Sequence, residues 1–520
     1  MELKKMQIHK NCQKGTAVSQ LTLDDDYNVP DYRPDIVKIL KECGEIRFDE
    51  VNVSTGAVWL KGSLVFQVLY RSDQENRKIS SLKGEIPFQE KLSIDGIMEL
   101  DPVRLRWEVE DISISVINSR KLSVRALVVL HAIAEENMVE EIACGLLGEE
   151  ECEQHWQEKE ILELVTAKKD SCRLKNELVI PSNKPNVQEI LWKSVEIRHL
   201  EYMQGEGEIL LTGEALITVL YYGEEEEARI QWYETSVNLN GQIACPGLGV
   251  EEIFHVSSSP ASVELEIKPD YDGEERILVL EIVLDVDVKV WRENTVQVLE
   301  DLYSLKKEIL PKCEETVLEK LRMKNYAKCR MTEQMKLKEN QEKILQIGAC
   351  EGKVQVENQE PVAEGIMVEG TLTVDLLYIT TEDNMPVGSV REIFPFRQLI
   401  EVPQMNEKIR VELESGVEQL SAILLDQSQA EVKAVLNLNL LAFEEENICK
   451  ITEIEVGNLN LDALQQAPGL IGYIIRPGDC LWNIAKENHT TVTEIMTTNQ
   501  LKSEHLQAGD KILIVKHVAS

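Results

Sequence analysis

Three segments share one alternation of apolar and polar positions: Gly62–Tyr70 (GSLVFQVLY), Gly213–Tyr221 (GEALITVLY) and Gly370–Tyr378 (GTLTVDLLY). Each opens on glycine and closes on tyrosine, and the period of two between them predicts a half-buried strand. Three such strands in one chain predict a repeated domain. Pro30, Pro34 and Ile39–Leu40 recur as Pro181, Pro185 and Ile190–Leu191, at the same offset that separates Gly62 from Gly213. Ile344–Leu345 opens the third copy. It lies three residues further from its glycine than its counterparts do, without prolines before it, so this copy is expected to diverge most and to carry an insertion in a loop.

Each copy closes on a second alternating stretch, Leu122–His131, Ile277–Trp291 and Ala430–Phe443, read as a strand pair. Leu284, Val286, Val288 and Val290 take one face there and Asp285, Asp287 and Lys289 the other. Glutamate runs at 224–227 and 444–446 are expected at strand ends, where like charges spread into water. Between Pro311 and Gln346, Val317, Leu318, Leu321 and Met335 stand among dense Lys and Glu, a pattern that predicts a helical connector.

The C-terminal region changes pattern. Tyr473–Ile475 suits a strand, Pro477-Gly478-Asp479 a turn with Asp479 as helix cap, and Leu481, Ile484 and Ala485 recur at helical spacing. Val492, Ile495 and Met496 mark a second helix, Ala508-Gly509-Asp510 a turn, and Ile512–Val515 a closing strand. This β-α-α-β unit resembles a complete LysM module. The expected fold is therefore mainly β, with three repeated antiparallel β-domains followed by a small α+β (βααβ) domain. The boundaries read 1–150, 151–310, 311–463 (connector plus third, divergent repeat), a 464–469 linker, and 470–517.

The chain has 520 residues, 43% of them hydrophobic, enough for several cores. A formal net charge of -37 argues against direct contact with nucleic acid or an anionic membrane surface, both of which need clustered Lys and Arg. The C-terminal module is nearly balanced, so its surface is expected to be electrically separate from the body. Met1–Lys10 is charged and no apolar run of about 18 residues occurs, which predicts a cytosolic chain without membrane insertion. Eleven cysteines without a C-x-x-C pair read as reduced thiols. No nucleotide-binding, nucleophile-elbow or zinc-helix motif is present, and neither the 92 acidic residues nor the eight histidines suggest a catalytic or metal constellation. No enzyme activity and no cofactor are expected.

With Val29–Ile36 reading VPDYRPDI, three acidic β-repeats and one C-terminal LysM-like module, the chain resembles the SPOCS-domain, LysM-containing spore coat assembly proteins of clostridia. The resemblance implies a non-enzymatic scaffold in the mother-cell cytosol, recruited to the forespore surface. It implies docking of the module onto the coat morphogenetic ATPase (SpoIVA-like), and leaves room for other coat proteins as partners.

The module's candidate partner-binding residues lie in two loops, Gly478, Asp479, Cys480 and Leu481, and Leu506, Gln507, Ala508 and Gly509, with Trp482 beside the first. Such loops offer backbone groups and an apolar floor to a sugar, so glycan binding is the alternative. Cys480 replaces a hydroxyl common at this position, which favours protein over glycan. Trp482 fits both a core plug and an interface anchor. His489 and His505 are expected in solvent.

Overall fold

The computed structural model describes residues 2–147, 152–224, 230–339, 341–460, 466, 468–505 and 507–516. The alternating segments form strands throughout, eighteen of them among the described residues before the C-terminal module. The first unit holds β1 (Glu2–Asn28), β2 (Ile36–Ser54), β3 (Ala57–Ser72), β4 (Ile79–Ser93), β5 (Val103–Asn118) and β6 (Lys121–Leu147). The second holds β7 (Glu153–Val179), β8 (Val187–Gln204), β9 (Glu208–Gly223), β10 (Ile230–Ala244), β11 (Ile253–Pro269) and β12 (Glu275–Tyr303). The third holds β13 (Glu308–Lys336), β14 (Ile344–Val362), β15 (Gly365–Thr380), β16 (Val387–Glu401), β17 (Ile409–Asp426) and β18 (Gln429–Gly457). Each unit stacks two antiparallel three-stranded sheets, ordered β1-β6-β5 over β2-β3-β4 in the first and identically in the others. Inward residues of both sheets, such as Leu64, Phe66, Val124 and Val128, share one core per unit.

The three glycine-to-tyrosine segments are the centre strands β3, β9 and β15. Each glycine faces a β-bulge on the strand before it: the register of β2 slips between Phe48 and Glu50, that of β8 between Arg198 and Glu201, and that of β14 between Val356 and Asn358. The bulge brings backbone close. A Cβ at Gly62 would stand 2.4 Å from the Arg47 carbonyl oxygen, and one at Gly370 2.1 Å from that of Gln355. Gly370→Ala is therefore expected to destabilise the chain by about 1–3 kcal/mol, read as a lower urea midpoint.

The tyrosines close the other end. Tyr70 and Tyr221 donate their hydroxyls to the Pro34 and Pro185 carbonyls at 3.1 and 3.2 Å. Arg120 gathers the carbonyls of Val29, Pro30 and Arg33, and Arg276 those of Pro181 and Lys184. Proline, tyrosine and arginine thus form one clamp at the entry to each of the first two units.

The register also corrects the third repeat. Ile39, Ile190 and Ile347 pair with Tyr70, Tyr221 and Tyr378, so the counterpart of Ile39 is Ile347, with the same spacing to its glycine. Ile344 instead pairs with Thr380 as Ile36 pairs with Ser72. There is no three-residue insertion. Residues 311–346 are not a helical connector either: Pro311–Lys336 belongs to β13, bonded along its length to β18. The closing stretches are not strand pairs but parts of single long strands, β6, β12 and β18. The 444–446 glutamates sit inside β18, whereas 225–227 fall outside the described residues.

The first and last strands of each unit run past the sandwich as a two-stranded ribbon. The three ribbons pack together through Ile8, Ile142, Ile161, Val296, Val298, Leu318 and Ile448, drawn from all three units. Glu140 sits among them, accepting from Lys10 at 2.7 Å, from Thr316 at 2.9 Å and from Lys450. A second shared core joins Leu69, Trp192, Leu220 and Leu377, and there Lys41 binds Glu351 at 2.6 Å beneath the Trp192 ring. Three repeats thus meet about one centre, and the C-terminal module attaches at the ribbon ends.

Candidate functional site

The C-terminal module is β19 (Leu470–Ile474), α1 (Leu481–Glu487), α2 (Val492–Asn499) and β20 (Lys511–Val515), with β19 and β20 antiparallel. Its core is Ile475, Leu481, Ile484, Ala485, Ile495, Ile512 and Ile514. Asn499 was not singled out by sequence reading, yet its amide both donates to the Leu513 carbonyl and accepts from the Leu513 N–H, each at 2.7 Å. It ties α2 to the edge of β20 as a further backbone group would.

The two expected loops are built alike and lie side by side. In each, an aspartate accepts from the backbone N–H three residues earlier: Asp479 from Arg476 at 2.8 Å, Asp510 from Gln507 at 3.1 Å. The residue before each aspartate, Gly478 or Gly509, has φ of 92° or 98°, a region that glycine enters without strain. The Gly509 N–H donates to the Ile475 carbonyl and the Ile475 N–H to the Asp510 carbonyl, both at 2.9 Å, which joins the turns. Asp479 is therefore a turn staple and not the helix cap. Cys480 is the cap: its backbone is extended and its sulfur accepts from the Asn483 N–H at 3.5 Å. Thiols are poor caps beside hydroxyls, so Cys480→Ser is expected to stabilise α1 by about 0.5–1 kcal/mol, slowing amide exchange at Asn483 and Ile484 roughly two- to fivefold.

Of the nine candidate residues, the eight that are described separate into two groups. Gly478, Cys480, Gln507, Ala508 and Gly509 are exposed and Asp479 is half-buried, so these six form one open surface. Leu506 lies outside the described residues. Leu481, 2% exposed, is core and not available to a partner. Trp482, 9% exposed, is covered by the body of the same chain.

That contact is specific. The Trp482 indole N–H donates to Asp301 Oδ2 at 2.8 Å, and Lys486, one turn on along α1, reaches both Asp301 oxygens at 2.7 Å. The ring stacks on His155 of β7 at 5.0 Å and meets Tyr303 of β12 edge-on at 4.9 Å. The Tyr303 hydroxyl donates to the Thr490 carbonyl at 2.8 Å. Burial, with Glu153, Glu494 and Asp301 nearby, pushes that phenol far above its ordinary value, so it stays a neutral donor. Trp482 thus belongs to the module's buried cluster and at the same time fixes the module to the second ribbon; it is not a free anchor. The module is not separate from the acidic body. Aromatic and charged residues of β7 and β12 complete its core, a pairing that no local sequence pattern signals. His489 is half-buried instead of solvent-exposed, and burial lowers its pKa.

The family model for the SipL SPOCS domain matches residues 35–117 and 343–425, and that for the LysM domain matches 473–515. The SPOCS spans cover β2–β5 and β14–β17, so the third unit, expected to be the most divergent, is one that this model recognises. No curated protein and no solved structure matches the chain. Among the described residues no helix is long and apolar enough to cross a membrane.

Proposed function

From two SPOCS domains and a LysM domain in a SipL-like chain, we propose a non-enzymatic scaffold of spore coat assembly. It works in the mother-cell cytosol, is recruited to the forespore surface, and docks through the LysM module onto the coat morphogenetic ATPase. The observation that carries this reading is the conjunction of SPOCS repeats with a LysM module that keeps its paired loops open while its tryptophan is engaged by the body. A module fixed to a rigid ribbon bundle presents those loops in a set direction, which suits an assembly adaptor more than a tether. Both matched domain types are binding domains.

A second reading, glycan binding, is favoured by the LysM match and by the two joined turns with their exposed backbone groups. Parallel measurements with the full chain and with a chain lacking residues 470–520 separate the two. Co-purification of the ATPase from sporulating cells, lost on truncation, supports docking. Saturable sedimentation with insoluble peptidoglycan, lost on the same truncation and without ATPase capture, moves the glycan reading to first place.

A further inference from the structure

The near-threefold arrangement supplies an internal comparison of the three junctions between units. On the fourth strand of each unit, Lys83, Glu234 and Arg391 occupy one equivalent position, paired with Gln67, Thr218 and Asp375 of the centre strands. On the second strand, Glu42, Lys193 and Cys350 are equivalent, paired with the next centre-strand residues Val68, Val219 and Leu376. Two junctions bring the first kind of position from one unit toward the second kind from another. Where the third unit meets the first, Arg391 faces Glu42 and the charges compensate. At the junction of the second and third units the equivalent residues are Glu234 and Cys350. Where the first meets the second, they are Lys83 and Lys193, and this junction alone sets two cations together.

Those lysines line a cleft of about 330 Å³. Its floor is Leu82, Ile190 and Leu265, with Ser81 and Gln67 as polar groups. Pro30, Tyr32 and Arg33 of the VPDYRPDI segment form a wall, which gives that segment a role beyond its own clamp. Lys193 donates to the Leu265 carbonyl at 3.0 Å. Among the described residues neither lysine has a carboxylate within 4.0 Å. Arg33 is held by Glu189 at 2.5 Å, and Glu45, Glu264 and Glu266 act on Lys193 from further off. Burial and then the Lys83 charge lower the Lys193 pKa, against the opposing pull of those three glutamates. In a chain of net charge -37, a like-charged basic pair inside an inter-domain cleft runs against the general balance.

We propose that this cleft binds a small phosphomonoester, its dianionic phosphate between the Lys83 and Lys193 ammonium groups and its organic part on the Leu82–Ile190–Leu265 floor. Two ammonium groups match two negative charges, lysine serves phosphate as a point-charge donor, and the volume suits a ligand with one ring. Because the cleft spans β4 of the first unit and β8 of the second, a bound ligand strengthens their junction.

Titration calorimetry on the full chain at low ionic strength tests this, with phenyl phosphate as probe and inorganic phosphate and citrate for comparison. Phenyl phosphate is expected to bind saturably, and at least tenfold more weakly to Lys83→Gln and Lys193→Gln. Glu234→Gln, the same step at another junction, should leave binding unchanged. Lys83→Glu builds a pair like Arg391–Glu42 and should abolish binding while raising the melting temperature at low salt. Lys83 is exposed, so its variants remain folded tests if Lys193→Gln does not fold. Absence of saturable phosphate binding, or binding that survives Lys83→Gln, overturns the proposal. Tighter binding of citrate than of phenyl phosphate overturns the phosphate assignment.

Discussion

Trp482→Glu is expected to free the LysM module from the body while leaving the three β-units intact. The variant loses the indole bond to Asp301 and the contacts with His155 and Tyr303, and sets a carboxylate against Asp301. Removing a buried tryptophan side chain costs about 3–5 kcal/mol. At about 1.4 kcal/mol per factor of ten, the undocked population should rise by roughly two to three and a half orders of magnitude. Hydrogen exchange at Asp301–Tyr303 and across α1 should accelerate accordingly, with no change in β3, β9 or β15. Lys502→Ala, an exposed position, should change neither. Unaltered exchange at Tyr303 in Trp482→Glu would show that the docking contact carries no weight.

Glu140→Ala should lower the stability of the body by about 3–5 kcal/mol, because it strands Lys10 and Lys450 inside the ribbon bundle. The same carboxylate sets an acid limit. Burial raises its pKa, but bonds from Lys10, Lys450 and Thr316 outweigh burial and hold it at about 2 against an ordinary 4.5. Glu412 behaves likewise, held at about 2 against burial by Arg104, Lys289 and Arg410. A carboxyl whose folded pKa is depressed stabilises the fold above its unfolded pKa and loses that contribution as the proton is taken up. Stability should therefore be full above about pH 4.5 and decline between there and about pH 2. Urea midpoints across that window should fall less steeply in Glu140→Gln than in the parent chain.

The sequence carried the repeat well because its landmarks each have a local physical cause. Glycine opposite a bulge and tyrosine bonded to a proline carbonyl recur wherever that geometry recurs. It misled where a long ribbon presents ionic residues in dense runs. In β13, Glu319 pairs with Arg410, Lys320 with Glu444 and Lys312 with Glu453, so a charged strand was mistaken for a charged helix. The slip at Ile344 has a similar origin: Leu345 and Val37 are both outward residues one step into their strands, 60% and 51% exposed, and an apolar pair there imitates the one further in. In the LysM module the turns were legible, but the cap fell one residue late because Asp479 turns back to staple its loop. Trp482 could not be assigned from sequence at all, since His155, Asp301 and Tyr303 are brought to it only by the packed ribbons.

The proposed docking surface is the module's pair of open loops, with Trp482 held by the body. Ala508→Arg tests this most directly. Ala508 is exposed at the tip of the second loop, away from the module's core, so the substitution should leave thermal unfolding and the exchange of Tyr303 as they are. Co-purification of the coat morphogenetic ATPase from sporulating cells should then be lost or weakened at least tenfold. Full retention of the ATPase by a folded Ala508→Arg chain would contradict the loop surface as the docking site.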